Sequence, residues 1–224
     1  MAEDIKVALL AAALPHVAFE GWSDSAFAAA AADAGIAPAL ARGVCPRGAL
    51  DLALAYHAAG DGAMRTALAG ADLAGMRFRD RIAHAVRLRL DGADPEVVRR
   101  GVALFALPQH AGEGARAIWG TADAIWRALG DTSDDINHYS KRAILSAVYS
   151  ATVLYWLGDT APGHAATWEF LDRRIENVMQ FEKLKASARA NPVFNALFAG
   201  PARLLAMVKA PQGRVQDGLP GSMK

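Results

Sequence analysis

Apolar and polar positions along the chain recur at helical spacing, and no stretch alternates strictly enough to predict a strand. With alanine abundant, the expectation is an all-α fold of about nine to ten helices. A first helix is expected over 4–14, stopping before Pro15, with 16–22 as a connection. Ser23 and Asp24 can cap a second helix to about 34, with Phe27 on its inner face and Gly35 ending it. Helices follow at about 47–69, 75–90, 95–107 and 110–129, with Asp94 and Pro95 in cap and first-turn positions. Ile118, Trp119, Ile125, Trp126 and Leu129 can share one face of the last of these. Beyond Gly158 and Pro162, a helix over about 163–181 turns Trp168, Leu171, Ile175 and Val178 inward and leaves Asp172, Arg173, Arg174 and Glu176 as a solvated face.

The rest is organised around 130–158, whose first half packs acids, an amide, a tyrosine and two cations before an uncharged run over 143–157. A surface helix keeps a polar face, and a membrane span needs roughly twenty apolar residues, so the run fits neither. It predicts a central helix packed on nearly all sides, or one lining an apolar cavity. For a cavity, the candidate lining is Leu145, Val148, Thr152, Tyr155 and Trp156 with Ile118, Trp119, Ile125 and Trp126. The same aromatic stripe serves equally as core.

The segment 34–50 has the rhythm of the helix-turn-helix of TetR-type regulators, a short recognition helix before a long one. Its chemistry is missing. Reading base edges and phosphates takes amides, guanidinium groups and cations, yet Arg42 is the only polar side chain between Ile36 and Val44. Over 16–60, Arg42 and Arg47 face Glu20, Asp24, Asp33 and Asp51, a balance that repels a duplex. A skeleton retained for packing is expected, with no nucleic acid partner.

The formal net charge of +1 gives no global attraction to nucleic acid or anionic lipid. Arg77, Arg79, Arg81, Arg87 and Arg89 spread widely around one helix, which suggests a solvated or partner-facing surface. Cys45 is the one cysteine, so no intramolecular disulfide and no Cys-based zinc site is expected, consistent with a reducing compartment. The first residues resemble neither a signal core nor an Arg-rich transit peptide, and a cytoplasmic protein is expected. Over 182–209 one acid accompanies Lys183, Lys185, Arg189, Arg203 and Lys209. Phe194, Leu197, Phe198, Leu204, Leu205 and Val208 line one side of that segment, which Gly200 and Pro201 interrupt. Such a basic amphipathic stretch suits a bilayer interface, with Phe194, Leu197, Phe198, Arg203, Leu204, Leu205 and Lys209 as candidate membrane contacts; docking back on the protein explains the same pattern. The Gly- and Pro-rich tail 210–224 is expected to be disordered.

No catalytic pattern emerges. The six histidines form no i,i+3 or i,i+4 pair for a metal, and phosphate-binding, nucleophile-elbow and dinucleotide motifs are absent. Asp131, Asp134 and Asp135 could act as acid and base, but beside Ser133 and before a helix they more simply cap it. No catalytic residue, metal or cofactor is expected.

Three separated motifs carry a resemblance. The pattern Gly130, Asp131, Ser133, Asp135, Asn137, Tyr139, Arg142, Ala143 resembles the signature of the COQ9 family of ubiquinone-biosynthesis accessory proteins. Pro-His-Val-Ala-Phe-Glu-Gly-Trp-Ser at 15–23 and Thr-Trp-Glu-Phe-Leu-Asp-Arg-Arg-Ile at 167–175 agree with it in order and spacing, so the likeness covers roughly 14–182. It implies a TetR-like fold, here with a degenerate N-terminal helix-turn-helix. An apolar cavity would hold an isoprenoid lipid or phospholipid, and a patch at the central motif would dock the di-iron demethoxyubiquinone hydroxylase. Asp123, Ile125, Asp135, His138, Tyr139 and Arg142 are then the partner-binding positions. His138 stands where many members carry tryptophan, so the patch has less apolar anchor area. The resemblance also implies peripheral association with a bacterial inner membrane and allows a homodimer. The expected organisation is 1–60 helix-turn-helix-like, 61–182 lipid-binding core, 183–209 amphipathic helix and 210–224 tail. The function expected is a non-catalytic lipid-binding accessory protein in ubiquinone synthesis; the alternative is a TetR-type, lipid-responsive transcription regulator.

Overall fold

The computed structural model describes residues 1–189, with side chains through Gln180. Among the described residues there are nine α-helices and no strand. They are α1 (Ala2–Glu20), α2 (Asp24–Asp33), α3 (Pro38–Val44), α4 (Ala49–Gly70), α5 (Phe78–Asp91), α6 (Pro95–Phe105), α7 (Ala111–Ala128), α8 (Ile136–Gly158) and α9 (Ala165–Arg189). A short 3-10 turn at Pro162–His164 precedes α9.

The capping residues read from the sequence do their work. Ser23 Oγ accepts from the Ala26 amide at 3.1 Å, and Asp94 Oδ1 accepts from the Glu96 and Val97 amides at 2.8 and 3.1 Å. Asp135 Oδ1 accepts from the Asn137 amide at 2.9 Å, opening α8. Gly35 follows α2 at φ 64°, where a side chain would be strained.

Pro15 does not end the first helix. α1 runs through it to Glu20, so 16–22 is mostly helix and not a connection. Proline forfeits one backbone hydrogen bond, but its ring lies on the exposed side while Ala13 and Val17 are buried on the inner face.

Two apolar clusters fill the interior. The first joins Leu9, Val17, Trp22 and Phe27 with Leu52 of α4. The second joins Met64 and Leu68 of α4 with Val86, Ile125, Leu145, Val148, Trp156, Leu171 and Ile175. α4 therefore ties the helix-turn-helix-like part to the rest. As expected, Leu171 and Ile175 face the core, with Trp168 and Val178 packed against it.

Two expectations need correction. α8 is less enclosed than packing on nearly all sides requires, though it does line a cavity: Leu154 is 61% and Tyr155 38% exposed, and the Tyr155 ring stacks on Phe170 at 4.5 Å. The arginines of α5 are not a free surface either. Arg89 is buried, Arg77 pairs with Asp80 at 2.7 Å and Arg87 with Asp172 at 3.1 Å. Arg79 pairs with Glu176, so Asp172 and Glu176 of α9 clasp α5 and are more than a solvated face. α9 continues past 182 to Arg189; Phe194, Leu197, Phe198, Arg203, Leu204, Leu205 and Lys209, and the tail, lie outside the described residues.

Candidate functional site: a cavity with a polar wall and a patch beside it

A cavity of about 400 Å³ lies among α4, α5, α6, α7 and α8, within the size range of small-molecule sites. Its walls are mostly apolar: Val97, Val98, Val102 and Phe105 from α6, Ile118 from α7, Val153 and Leu154 from α8. Gly114 lets α7 approach α6 closely there, since a Cβ at that position would sit 2.7 Å from Phe105 Cβ.

One wall is polar. Tyr56 and His57 of α4, Arg89 of α5 and Tyr149 of α8 line it, with Trp22 from the turn before α2. Behind it, Arg89 Nε donates to Asp61 at 2.6 Å and Arg89 Nη2 to the His57 carbonyl at 3.0 Å. The Thr121 hydroxyl donates to Asp61 at 2.9 Å, so its oxygen accepts from His57 Nε2 at 2.8 Å. Burial pushes the His57 pKa down, and the neighbouring Arg89 charge pushes it the same way, so the ring is neutral at physiological pH. Burial pushes the Tyr149 phenol up to about 12 despite the opposing pull of Arg89.

The proposed lipid-binding residues are divided by the fold. Only Ile118 lines this cavity. Ile125, Leu145, Val148 and Trp156 belong to the packed core, with Trp126 against it. Thr152 is buried with its hydroxyl donating to the Val148 carbonyl at 2.8 Å, Trp119 lies by Tyr139, and Tyr155 is at the surface. The cavity uses the neighbouring positions Tyr149, Val153 and Leu154 of the same uncharged helix. Trp22, Tyr56, His57 and Arg89 were missed because they are scattered along the chain; the only local signal was an uncharged partner helix.

The patch at the start of α8 is built over a buried ion network. Arg142, 2% exposed, donates from Nε to Asp123 at 2.6 Å and from Nη1 to Asp131 at 3.1 Å and to the His138 carbonyl at 3.0 Å. Lys141 Nζ also meets Asp131 at 2.7 Å and lies 5.1 Å from the Trp126 ring centre. Burial would raise the Asp131 pKa, but the hydrogen bonds from Lys141, Ser133 and Arg142 outweigh it and hold the carboxyl at about 2. Asp131 is thus an ion-pair member while Asp135 is the cap. Asp135 is exposed and His138 and Tyr139 are half-buried, with Tyr139 5.2 Å from the His138 ring and 6.3 Å from Trp119. Ile125 and Arg142, expected to touch a partner, are buried and instead brace the patch from beneath. Asp123 is half-buried and bound to Arg142 and Arg127. Patch and cavity share α7 and α8: Ile118 lines the cavity, while its neighbour Trp119 lies beside Tyr139.

Comparison with known proteins locates these features. The COQ9 family model matches residues 111–182, which contain α7, α8 and the patch between them. The Drosophila melanogaster "Ubiquinone biosynthesis protein COQ9, mitochondrial" is 31% identical over 80% of this chain and 57% of its own length. The Dictyostelium discoideum "Probable ubiquinone biosynthesis protein coq9, mitochondrial" is 28% identical over 81% of this chain and 62% of its own. The human COQ9 protein is 32% identical over a shorter stretch, 36% of this chain and 25% of its own. The chain thus spans about three fifths of the length of the first two relatives. Among solved structures, a TetR transcriptional regulator from Nitrosomonas europaea ATCC 19718 superposes with a TM-score of 0.64 at 18% identity, covering 77% of this chain and 97% of that one. That likeness is one of fold. Residues 111–182 match the COQ9 family model, and the described residues adopt a TetR-like all-helical fold.

Proposed function

We propose that this protein is a non-catalytic accessory protein of ubiquinone biosynthesis that shelters an isoprenoid quinone precursor and presents it to the di-iron hydroxylase acting on it. The observation that carries the reading is the largely apolar cavity of about 400 Å³ that shares α7 and α8 with the patch built by the COQ9-matched segment. A polyprenyl tail is nearly insoluble in water, and each methylene transferred into such a cavity gains about 0.8 kcal/mol. Exposed Leu154 at the rim gives an apolar entrance that a membrane surface can meet. No described helix is long and apolar enough to cross a bilayer, so the proposed contact with the inner membrane is peripheral. The hydroxylase is proposed to dock at Asp135, His138 and Tyr139, with Trp119 beneath the tyrosine.

Organic extraction of the purified protein followed by mass spectrometry tests the cargo. An isoprenoid or phospholipid is expected in the extract, and repeated blanks would defeat the reading. Tyr139→Ala is expected to weaken capture of the hydroxylase several-fold while leaving extracted lipid unchanged; equal loss of both would signify misfolding.

The TetR-like fold supports a second reading, a lipid-responsive DNA-binding regulator. Against it, the only cation of α3 is engaged: Arg42 donates to Asp24 at 2.8 Å and lies 4.9 Å over the Phe27 ring. A gel shift on genomic DNA fragments distinguishes the two, since regulator binding should appear and weaken steeply with salt.

A further inference from the structure

Resting on the cavity being a lipid site, we infer that its polar wall recognises the guest's head, and that the head is uncharged and accepts hydrogen bonds. Trp22, Tyr56 and Tyr149 are the donors that hold it.

Indole Nε1–H can only donate. Trp22 is 8% exposed and lines the cavity, and its Nε1 has no partner among the described residues. The other buried side-chain nitrogen and oxygen atoms in that condition belong to Arg87, Arg100 and Ser146, none of which lines the cavity. Buried polar atoms are nearly always satisfied, so an orphan donor facing a cavity marks where an acceptor sits. Tyr56 lies beside it, ring centres 6.0 Å apart. Its oxygen accepts from the Asp94 amide at 3.2 Å, and its phenolic proton has no acceptor among the described residues. Tyr149 is 4% exposed and has no hydrogen bond among the described residues. With its pKa pushed up to about 12 by burial, it remains a donor at any physiological pH.

The charged members of the wall are already matched. Asp61 receives Arg89 and Thr121, so no carboxylate is left to take a cation or a hydroxyl proton from a guest. Arg89 is neutralised by the same Asp61, so an anionic head gains little from it. What remains includes three donors, on Trp22, Tyr56 and Tyr149, the complement of carbonyl, ether or ester oxygens. Leu154 lies five residues along α8 from Tyr149, about 7.5 Å at the helical rise, so the apolar body of the guest points toward the exposed rim.

The test uses the full chain stripped of bound lipid and two probes with the same ten-carbon chain. Decylbenzoquinone carries two carbonyl acceptors and no donor; decylbenzene carries no polar head. Each is titrated against a bound fluorescent fatty-acid reporter. The quinone is expected to displace the reporter about tenfold more effectively, as two or three net hydrogen bonds would give. Tyr149→Phe and Trp22→Phe are each expected to reduce the ratio of quinone to decylbenzene displacement about two- to threefold. Equal displacement by both probes in the unsubstituted protein would overturn the head assignment and leave the apolar cavity standing. If neither probe displaced the reporter, the lipid-site reading would fall and this inference with it. The comparison of probes in the unsubstituted protein decides the matter even if a variant fails to fold.

Discussion

Arg142 ties the end of α7 to the loop before α8 and to the first turn of α8, through Asp123, Asp131 and the His138 carbonyl. Removing one partner of a buried ion pair leaves the others uncompensated, so Arg142→Leu is expected to cost about 3 kcal/mol in urea unfolding. Asp131 adds a pH dependence. Its folded pKa of about 2 lies below the ordinary 3.8, so its stabilisation is fully present above about pH 4 and is lost as pH falls through 2. The contribution is on the order of 2 kcal/mol. Unfolding at about pH 5 and pH 2.5 should therefore show a wild-type advantage over Asp131→Asn that shrinks in acid; an unchanged gap would refute the ion-pair role. The spacing of the central motif made these residues visible as a group. It did not show that Arg142 would be buried while Tyr139 remained partly open, because burial depends on how α7 packs against α8.

The α6–α7 crossing depends on the missing side chain at Gly114. A Cβ there meets Phe105 Cβ at 2.7 Å, an atom fixed to the α6 backbone that cannot rotate away. Gly114→Ala should force the helices apart, costing about 1–3 kcal/mol as overpacking does. Because both residues line the cavity, a thermal melt should drop together with the lipid recovered on extraction. A melt unchanged from wild type would show that the crossing is slack. α1 teaches the complementary point about reading helices from residues. Pro15 is a local stop signal, yet the buried faces of Ala13 and Val17 carry the helix past it, because tertiary contacts outweigh one lost backbone hydrogen bond.

For the molecule as a whole, a guest that binds only the folded protein stabilises it. At a free concentration about a hundred times its Kd the gain is about 2.7 kcal/mol. In a chain of this length each kcal/mol moves the melting midpoint by about 2–4 °C. Lipid-stripped protein should therefore melt about 5–10 °C lower than protein resaturated with its extracted lipid. Identical melting curves would argue that the cavity is merely a packing void. The cavity lies where the two apolar clusters meet, since Trp22 and Val97 of the first line it together with Leu90 and Val153 of the second.

The residues alone determined the all-helical fold, the caps at Ser23, Asp94 and Asp135, and the motif that links the chain to COQ9 proteins. Each is written in spacings of a few residues, over which helical geometry acts directly. Tertiary structure decided which uncharged positions of α8 became solid core and which became cavity wall. Periodicity gives a helix its faces without saying what stands opposite. It also decided the polar wall, since Arg89 meets Asp61 across 28 residues and His57 meets Thr121 across 64, distances along the chain that only folding closes.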